Sequence, residues 1–383
     1  MDIGLSQDQE LFRATTQRFL ETECPVTRVR DLQHDASGFD PRYWRAGAEL
    51  GWTSLLVSES DGGGSISGDG IADLKIVAEE MGRLVSPGPL IPINIVASTL
   101  SARGTKEQRA ILLPGILDGS TIATWAHAEV GMRWDASRIA TVITAIDGGL
   151  FLTGEKIHVE FGAQADYLLV TARLGEEIIQ LVIDAHLPGV VVTPVDTIDL
   201  VRRFSTIRFE GVKVDASMFI GDSDLTSSDI DRQLMIGVLL QCAETCGSMQ
   251  KVLDFTLEYL SDRFLFGRAL ASYQALKHRC ADWRMKLEAC HSITTDASHA
   301  LSTSASNAPE LVSAAKSYVG SISTELIQDC VQLHGGIGVT WEHDIHLYLR
   351  RATLNRGMYG SPVEHRERIA DFLNLSKKAT VRS

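Results

Sequence analysis

The run QLHGGIGVTWEHD occupies residues 332–344, and the run RFLFG occupies residues 263–267. Both lie at the ends of long segments with helical periodicity. An arginine presents a planar guanidinium that suits phosphate, and adjacent glycines let a backbone approach a ligand closely. Phe266 can supply a flat apolar surface, and Gly267 is expected to end the long helix as a C-cap. A surface charge at Arg263 and a simple turn explain either run alone, but a ligand site explains the two runs together better.

Helical periodicity extends outward from these runs to both ends of the chain. In the last third it predicts a helical bundle made of Ile230–Phe264, Tyr273–Ala300, Ala308–His334 and Ser361–Leu375. In the first third, Ser6 and Gln9 form a capping box that starts a helix. Further helices are predicted there over Pro41–Leu50, Ile71–Leu84, Ile93–Leu100 and Lys106–Leu113.

The middle of the chain has the texture of an all-β domain. Short runs rich in Val, Ile, Leu and Thr predict strands over Ile139–Ile146, Leu150–Val159, Tyr167–Arg173, Ile178–Ile183 and Val190–Pro194. Phe204–Phe209 and Val212–Val214, separated by Glu210-Gly211, are predicted to form one more hairpin. No helix-length segment separates these strands, so an antiparallel sheet is expected.

The predicted fold class is therefore α+β and multidomain. It consists of an N-terminal α-helical domain (1–119), a middle antiparallel β-barrel or sandwich (120–225) and a C-terminal four-helix bundle (226–383).

Composition excludes some functions. The net charge of −13 argues against a nucleic-acid partner, which would require clustered Lys and Arg. The six cysteines contain no CxxC pair, so buried free thiols and a reducing cytosol are expected. The metal-like run from Glu342 to His346 is attributed to packing, and no metal is predicted. With no signal-peptide pattern and no apolar run long enough for a membrane, the chain is expected to be cytoplasmic.

With both C-terminal runs in register, the sequence resembles the acyl-CoA dehydrogenase family over essentially its whole length. Glu49-Leu-Gly-Trp52 and Leu152-Thr-Gly-Glu-Lys156 add to the resemblance. It implies FAD as cofactor, an acyl-CoA substrate, an electron-transfer flavoprotein as electron acceptor, and a homo- or heterotetramer. In such an assembly one subunit contributes to the flavin site of its neighbour. The cofactor-binding residues implied here are Arg263, Phe266, Gln274, Gln332, Gly335 and Gly336.

The chain departs from the family's pattern in the middle domain. Residues 126–135 read AHAEVGMRWD where the family has a segment that contacts flavin and substrate. His158-Val159-Glu160 replaces the Trp-Ile-Thr/Ser that packs beside the flavin ring. A carboxylate at Glu160 would disfavour a reduced flavin, and flavin retention in this subunit is therefore in question.

The catalytic base also departs from the pattern. Desaturation of an acyl thioester needs a carboxylate of raised pKa beside Cα. Tyr359 occupies the position of the usual glutamate, and Gly237 occupies the alternative position on the long helix. The chain therefore resembles a bacterial subgroup, often heteromeric, that lacks the usual C-terminal glutamate.

Glu244 is the candidate that remains, two helical turns beyond Gly237 in an apolar stretch. The alternatives are a structural ion pair, with Arg350 or Arg351 as partner, and exposure to solvent. Glu364 is a weaker candidate whose simpler role is helix capping.

Two functions remain open. The chain is either an active acyl-CoA dehydrogenase that uses Glu244, or a non-catalytic structural subunit that lends Arg263, Phe266 and the Gly335-Gly336 backbone to an active partner. An oxidase is less favoured because the chain lacks the length for an additional domain. Arg202-Arg203 is expected to form inter-domain salt bridges or to contact CoA phosphates. Gly237 and Gly247 on the long helix hint at a roomy acyl pocket, whether the acyl group is straight, branched or steroidal.

Overall fold

A computed structural model describes residues 4–132, 136–221 and 226–373. The N-terminal part is helical, as predicted, and its capping box at Ser6 and Gln9 is formed. Its helices are α1 (Gln7–Glu23), α2 (Val26–Asp31), α3 (Pro41–Glu49), α4 (Gly70–Arg83), α5 (Leu90–Arg103) and α6 (Lys106–Leu117). Trp44 and Trp52 are completely buried and anchor its core. Large aromatic side chains dominate such cores because each buries a large apolar area.

The middle part is an eight-stranded sheet with the order β6-β7-β3-β2-β4-β5-β8, and β1 pairs with β4. Its strands are β1 (Ala123–Ala126), β2 (Val142–Ile146), β3 (Gly149–Glu160), β4 (Tyr167–Leu174), β5 (Glu177–Asp184), β6 (Val190–Val195), β7 (Phe204–Val214) and β8 (Phe219–Ile220). Most neighbours are antiparallel, as predicted, but β1 and β2 each pair with β4 in parallel. β1 was not predicted, because its four residues are too few to show a period.

The hairpin predicted at Glu210-Gly211 is wrong. Residues 204–214 form the single strand β7, paired with β3 along its length. Leu152 lies opposite Val212 and Thr153 lies opposite Glu210, so Gly211 is an additional residue in the ladder. Gly211 has φ +66°, which a bulge of this kind requires and which glycine adopts without strain. The turn signal therefore marks a β-bulge.

The C-terminal part is a helical bundle, as predicted. Its helices are α7 (Thr226–Asp262), α8 (Gln274–Ser302), α9 (Ala308–His334), α10 (Ile345–Gly357) and α11 (Pro362–Phe372), and a short hairpin joins β9 (Phe264–Leu265) to β10 (Arg268–Ala269). α10 was not predicted. The domain boundary proposed at 119/120 lies between α6 and β1. The boundary proposed at 225/226 adjoins residues 222–225, which lie outside the described residues.

Polar contacts also join the three parts. The side-chain amides of Gln180 on β5 and Gln233 on α7 donate to each other at 2.7 and 2.8 Å. Gln233 also donates to Thr99 on α5 at 3.0 Å. These groups are buried and mutually satisfied, as buried amides must be to avoid a desolvation cost. They fix α5, α7 and the sheet relative to one another.

All six cysteines are buried free thiols, as predicted. Within the three described ranges there is no cluster of His, Cys, Asp or Glu that could hold a metal ion. Nor does that part of the chain contain a helix with the length and apolarity to span a bilayer.

The small residues of α7 do not line a roomy pocket, contrary to the prediction. α4 and α7 pack backbone to backbone. A Cβ on Gly247 would lie 1.9 Å from the carbonyl oxygen of Glu79, and one on Gly82 would lie 1.9 Å from that of Glu244. The space beside Gly237 is likewise filled, by the ring of Tyr359. Close approach of neighbouring elements, rather than empty space, accounts for these glycines.

Gly247→Ala is expected to destabilise the protein by about 3 kcal/mol, because neither backbone can yield to the added methyl group. Chemical denaturation of the full-length chain measures the loss. Gly357→Ala on α10 is the matched control, since a Cβ there meets nothing within 4 Å. Its effect should remain within about 0.5 kcal/mol. Equal stability of the two variants would contradict the packing described.

Candidate active site

An open groove of about 680 Å³ lies at one end of the helical bundle. It contains four of the six residues predicted to bind the cofactor: Arg263, Gln332, Gly335 and Gly336. Arg263 follows α7 directly, and Gln332 lies in the last turn of α9. Two segments far apart in sequence therefore meet because both helices end at the same side of the bundle.

The glycines of this groove face open space. Gly335 has φ +65°, and a Cβ built on Gly335 or Gly336 would meet no atom within 4 Å. An unobstructed glycine backbone beside an exposed guanidinium suits a pyrophosphate, which needs a cation and close backbone N–H groups. The residues present in the groove therefore fit the phosphate-bearing part of FAD.

Phe266 and Gln274, the other two predicted residues, lie outside the groove lining. Phe266 is 94% exposed at the tip of the β9–β10 hairpin. Phe266 and Gly267 have φ +52° and +78°, so they are the central residues of a tight hairpin turn. The prediction that Gly267 caps the long helix is wrong, because α7 ends at Asp262. Phe264 and Leu265 are also exposed, and a contiguous apolar patch of this kind is typical of a surface that another molecule covers.

Aromatic packing supports the groove from behind. His334 stacks on Tyr259 with 4.6 Å between ring centroids, and its ring also meets His343 at 4.5 Å. The Tyr259 hydroxyl donates to the carbonyl oxygen of His334 at 3.2 Å. The metal-like histidines therefore act in packing, as the sequence indicated.

The two positions at which the family carries a base face each other. A Cβ on Gly237 would lie 3.1 Å from the ring of Tyr359, and Tyr359 is only 5% exposed. Burial raises the pKa of the Tyr359 phenol above its ordinary value. A phenol with this pKa is a poor base near neutral pH.

Glu244 is buried in an ion-pair cluster. Arg351 Nη1 lies 2.6 Å from its Oε1, while Arg202 Nη1 and Asn355 Nδ2 lie 3.0 and 2.8 Å from its Oε2. Burial alone would raise the pKa of this carboxyl, but Arg202, Arg351 and the hydrogen bond from Asn355 outweigh it and lower the pKa. The expectation of a raised pKa is therefore wrong. Of the three roles considered, the geometry is that of an ion pair with Arg351, and Arg350 instead donates to the carbonyl of Ile198.

Glu160 is paired with the same arginine. Nε of Arg202 donates to Glu160 Oε1 at 2.8 Å, and Nη2 donates to Oε2 at 3.1 Å. Burial raises the pKa of the Glu160 carboxyl, and the pairing with Arg202 opposes that rise. The predicted inter-domain salt bridges are thus made by Arg202. Arg203 instead donates to the carbonyl oxygens of Leu32 and Leu200.

Within residues 126–135, which replace a flavin-contacting segment in the family, Glu129 has a structural partner. Its Oε1 lies 2.6 Å from Lys156 Nζ, and it accepts backbone N–H bonds from Ala140 and Thr141. Arg133, Trp134 and Asp135 lie outside the described residues.

Two water-sized spaces lie beside these groups in the part of the chain that the structure describes. The first is bounded by Pro92, Trp125, His127, Ala128, His158, Glu160, Met358 and Tyr359, and the second by Ala78, Met81, Ser86, Gly88, Leu90, Ile91, Arg202, Glu244 and Arg351. In each space, the volume open to the centre of a water molecule is about 10 Å³. Sites for small organic ligands typically have roughly 300 Å³ or more. Neither of these two spaces therefore fits a flavin ring or an acyl chain as it stands.

Glu364, the weaker candidate base, caps α11. Its Oε2 accepts from the backbone N–H and the hydroxyl of Ser361, both at 2.8 Å. The capping role considered for it is the one observed.

The contact between Gly237 and Tyr359 could not be recognised in the sequence. The sequence shows a glycine at one position and a bulky ring at the other, but the two residues meet only in the tertiary structure.

His365 holds the backbone of Tyr359, because its Nε2–H donates to the Tyr359 carbonyl at 2.9 Å. Burial lowers the pKa of His365 from 6.5 to about 4. The neutral ring therefore stabilises the folded state fully above about pH 6.5. This stability is lost as the pH falls to about 4, and the free energy of unfolding decreases by up to about 3 kcal/mol. Urea denaturation across this range should show a loss in the native chain and in the exposed-residue control His299→Gln that exceeds the loss in His365→Gln by up to about 3 kcal/mol. A smaller loss remains in His365→Gln, because burial also lowers the pKa of His127 and His334. If the free energy of unfolding depends on pH in the same way in His365→Gln and in the native chain, the role assigned to His365 is contradicted.

Comparisons with known proteins show which family the chain matches. Residues 6–120 match the family described as "Acyl-CoA dehydrogenase, N-terminal domain", and residues 229–373 match "Acyl-CoA dehydrogenase, C-terminal domain". The acyl-CoA dehydrogenase IpdE2 of Mycolicibacterium smegmatis is 29% identical over 366 residues, which cover 95% of this chain and 98% of that protein. IpdE2 of Mycobacterium tuberculosis is 27% identical and covers 94% and 95% of the two chains.

Solved structures show the same fold. A variant of the Tcur3481-Tcur3483 steroid ACAD superposes with a TM-score of 0.86 at 26% identity, over 97% of this chain and 99% of that chain. The ChsE4-ChsE5 complex from Mycobacterium tuberculosis gives a TM-score of 0.87 at 24% identity, over 98% and 99% of the chains. The predicted three-part fold is confirmed.

Proposed function

The chain belongs to the acyl-CoA dehydrogenase family, and on that premise we propose that it is the non-catalytic subunit of a heteromeric acyl-CoA dehydrogenase. In this role it completes the flavin site of a catalytic partner subunit. The partner provides the base and the acyl pocket, and this chain provides the groove at Arg263. The assembly we propose is a heterotetramer of two different acyl-CoA dehydrogenase chains.

The observation that carries the proposal is the state of the three positions where a base could stand. Gly237 has no side chain, Tyr359 is a buried phenol with a raised pKa, and Glu244 is an ion-paired carboxylate with a lowered pKa. Proton abstraction from Cα needs a carboxylate with a raised pKa and access to the substrate. None of the three residues meets both conditions.

The groove supports the other half of the proposal. When bound, FAD would accept the hydride that leaves Cβ of the acyl thioester. Arg263 would pair with its pyrophosphate, while Gln332 and the backbone at Gly335 and Gly336 would donate hydrogen bonds. The exposed ring of Phe266 would pack on the partner, with Gln274 at the edge of the same contact. These residues bind and orient the cofactor without taking part in proton transfer.

The substrate we propose is the CoA thioester of a bulky acyl group, of steroid type. This rests on the similarity to the Tcur3481-Tcur3483 steroid ACAD. We expect an electron-transfer flavoprotein to reoxidise the reduced cofactor. The competing function is a self-sufficient dehydrogenase in which Glu244 is the base, which would require its ion pairs to rearrange.

Absorbance spectra test the proposal. The full-length chain purified alone should be colourless. Co-expression with a second acyl-CoA dehydrogenase chain from the same source should give a yellow complex with one flavin for each pair of chains. A chain that retains flavin and oxidises acyl-CoA when purified alone would overturn the proposal and restore the self-sufficient dehydrogenase.

A further inference from the structure

A continuous chain of buried charges crosses the centre of the molecule. Its members, each at most 7% exposed, are Glu160, Arg202, Glu244, Arg351 and Asp199. Arg202 bridges the two glutamates, and Arg351 bridges Glu244 to Asp199, with Nε 2.5 Å from Asp199 Oδ2. Burial opposes ionisation of Asp199, but pairing with Arg351 and the backbone hydrogen bonds lower its pKa to about 2. Three acids and two arginines are thus buried together.

The buried positive and negative groups are equal in number once a lysine is included. Lys316 on α9, also buried, donates to the side chain of Gln241 and to the carbonyl oxygen of Asn355. Asn355 in turn contacts both Arg202 and Glu244 at 2.8 Å. With Lys316 included, three positive and three negative groups share one site, and each has hydrogen-bond partners. Buried charges persist in proteins under this condition.

The charge chain reaches all three parts of the fold. Glu160 ends β3, and Asp199 and Arg202 lie between β6 and β7, so these three belong to the sheet. Glu244 on α7 and Arg351 on α10 belong to the bundle. Arg351 also lies 3.4 Å from the carbonyl oxygens of Val85 and Ser86, which connect α4 to α5. Each part thus contributes a group that the others neutralise or satisfy.

Tyr359 closes the same region from the other side. Its backbone has φ +57°, a strained value for a non-glycine residue, and His365 holds its carbonyl. Gly360 makes this contact possible, since a Cβ there would lie 2.8 Å from His365 Nε2. The ring then fills the space that the missing side chain of Gly237 leaves. Arg202 and Glu160 separate the two water-sized spaces that remain.

We propose that the charge chain and Tyr359 together form an internal lock. The lock occupies the chain's own site and holds its three parts in place with no flavin or acyl-CoA bound there. Arg202 is its central positioning residue, since it contacts Glu160, Glu244 and Asn355. The lock is a property of this chain, so it does not depend on the partner or on the groove at Arg263.

Thiol labelling tests the lock. Cys242 and Cys246 flank Glu244 on α7 and are buried, whereas Cys24 lies in the N-terminal part. The flavin-free full-length chain is treated with N-ethylmaleimide, and the labelled peptides are quantified by mass spectrometry. Native protein should protect all three thiols. Arg202→Met should accelerate labelling of Cys242 and Cys246 by at least about tenfold relative to Cys24, because uncompensated carboxylates open the junction locally.

Arg208→Met is the matched control, because Arg208 lies in the same sheet and is exposed with its partner Glu210. It should leave the labelling rates unchanged. If Arg202→Met yields no folded protein, Glu244→Gln is measured in the same way and must meet the same criterion. Equal acceleration at Cys24 would indicate general destabilisation and overturn the lock. The lock would also be overturned if Arg202→Met left the labelling rates unchanged, or if Cys242 were labelled rapidly in the native flavin-free chain. None of these results depends on flavin in the complex, so the proposed function is judged separately.

Discussion

Glu244→Gln should leave the turnover of the heteromeric complex unchanged per folded molecule, while it lowers the stability of this chain. A glutamine keeps the shape and the hydrogen bond to Asn355 but removes the negative charge between Arg202 and Arg351. Breaking a buried ion pair from one side costs about 3 kcal/mol or more, because the opposite charges are left uncompensated. Thermal unfolding and steady-state kinetics of the same preparation measure the two effects.

The two roles considered for Glu244 give opposite results. A catalytic base would show an abolished turnover with a nearly unchanged unfolding midpoint, since general-base catalysis contributes about 10² to 10⁴ in rate. Glu258→Gln is the control, because Glu258 is an exposed carboxylate on the same helix. It should alter neither quantity. Loss of turnover in Glu244→Gln without loss of stability would refute the ion-pair role and make Glu244 the base.

Arg263→Ala should remove most of the flavin from the complex. Charge-assisted hydrogen bonds to a phosphate contribute about 1.5–3 kcal/mol, so their loss weakens binding by at least about tenfold. Arg263 is exposed in the structure, and its removal should therefore leave the unfolding midpoint of the isolated chain unchanged. Flavin absorbance per complex after gel filtration measures the first effect, and circular dichroism the second.

A second exposed arginine of the bundle provides the control. Arg284 on α8 pairs with Glu288 at 2.7 Å, and neither residue lines the groove. Arg284→Ala should retain the full flavin content. Should Arg263→Ala retain it as well, the groove would not hold the partner's cofactor, and the proposed function would fail while the lock remained untouched.

Together these variants separate the middle of α7 from its C-terminal end. Glu244 lies in the middle of α7, inside the lock, and Arg263 follows its last residue, in the groove. We expect stability to respond to the first and flavin content to the second. This division of roles would explain how a chain can keep the fold of an enzyme while its own site is closed.

The sequence by itself determined the order of the three parts, most of the long helices and strands, and the residues of the groove. Periodicity and capping are local properties, so α1, α8 and α9 could be predicted from their own residues. The groove residues were recognisable because Arg263 and the Gly335-Gly336 pair lie in short continuous runs. Local signals failed where their outcome depends on a neighbour. Gly211 marks a bulge only because β3 is paired alongside it.

Only the tertiary structure decided the state of the site. Arg202 and Glu244 are 42 residues apart in sequence, and Arg351 and Asp199 are 152 apart. No local pattern encodes such pairs. A buried carboxylate has a raised pKa when it is alone and a lowered one when two arginines contact it, and the neighbours are set by packing. For the same reason Tyr359 became interpretable only beside Gly237, where its ring fills the space that a side chain has left.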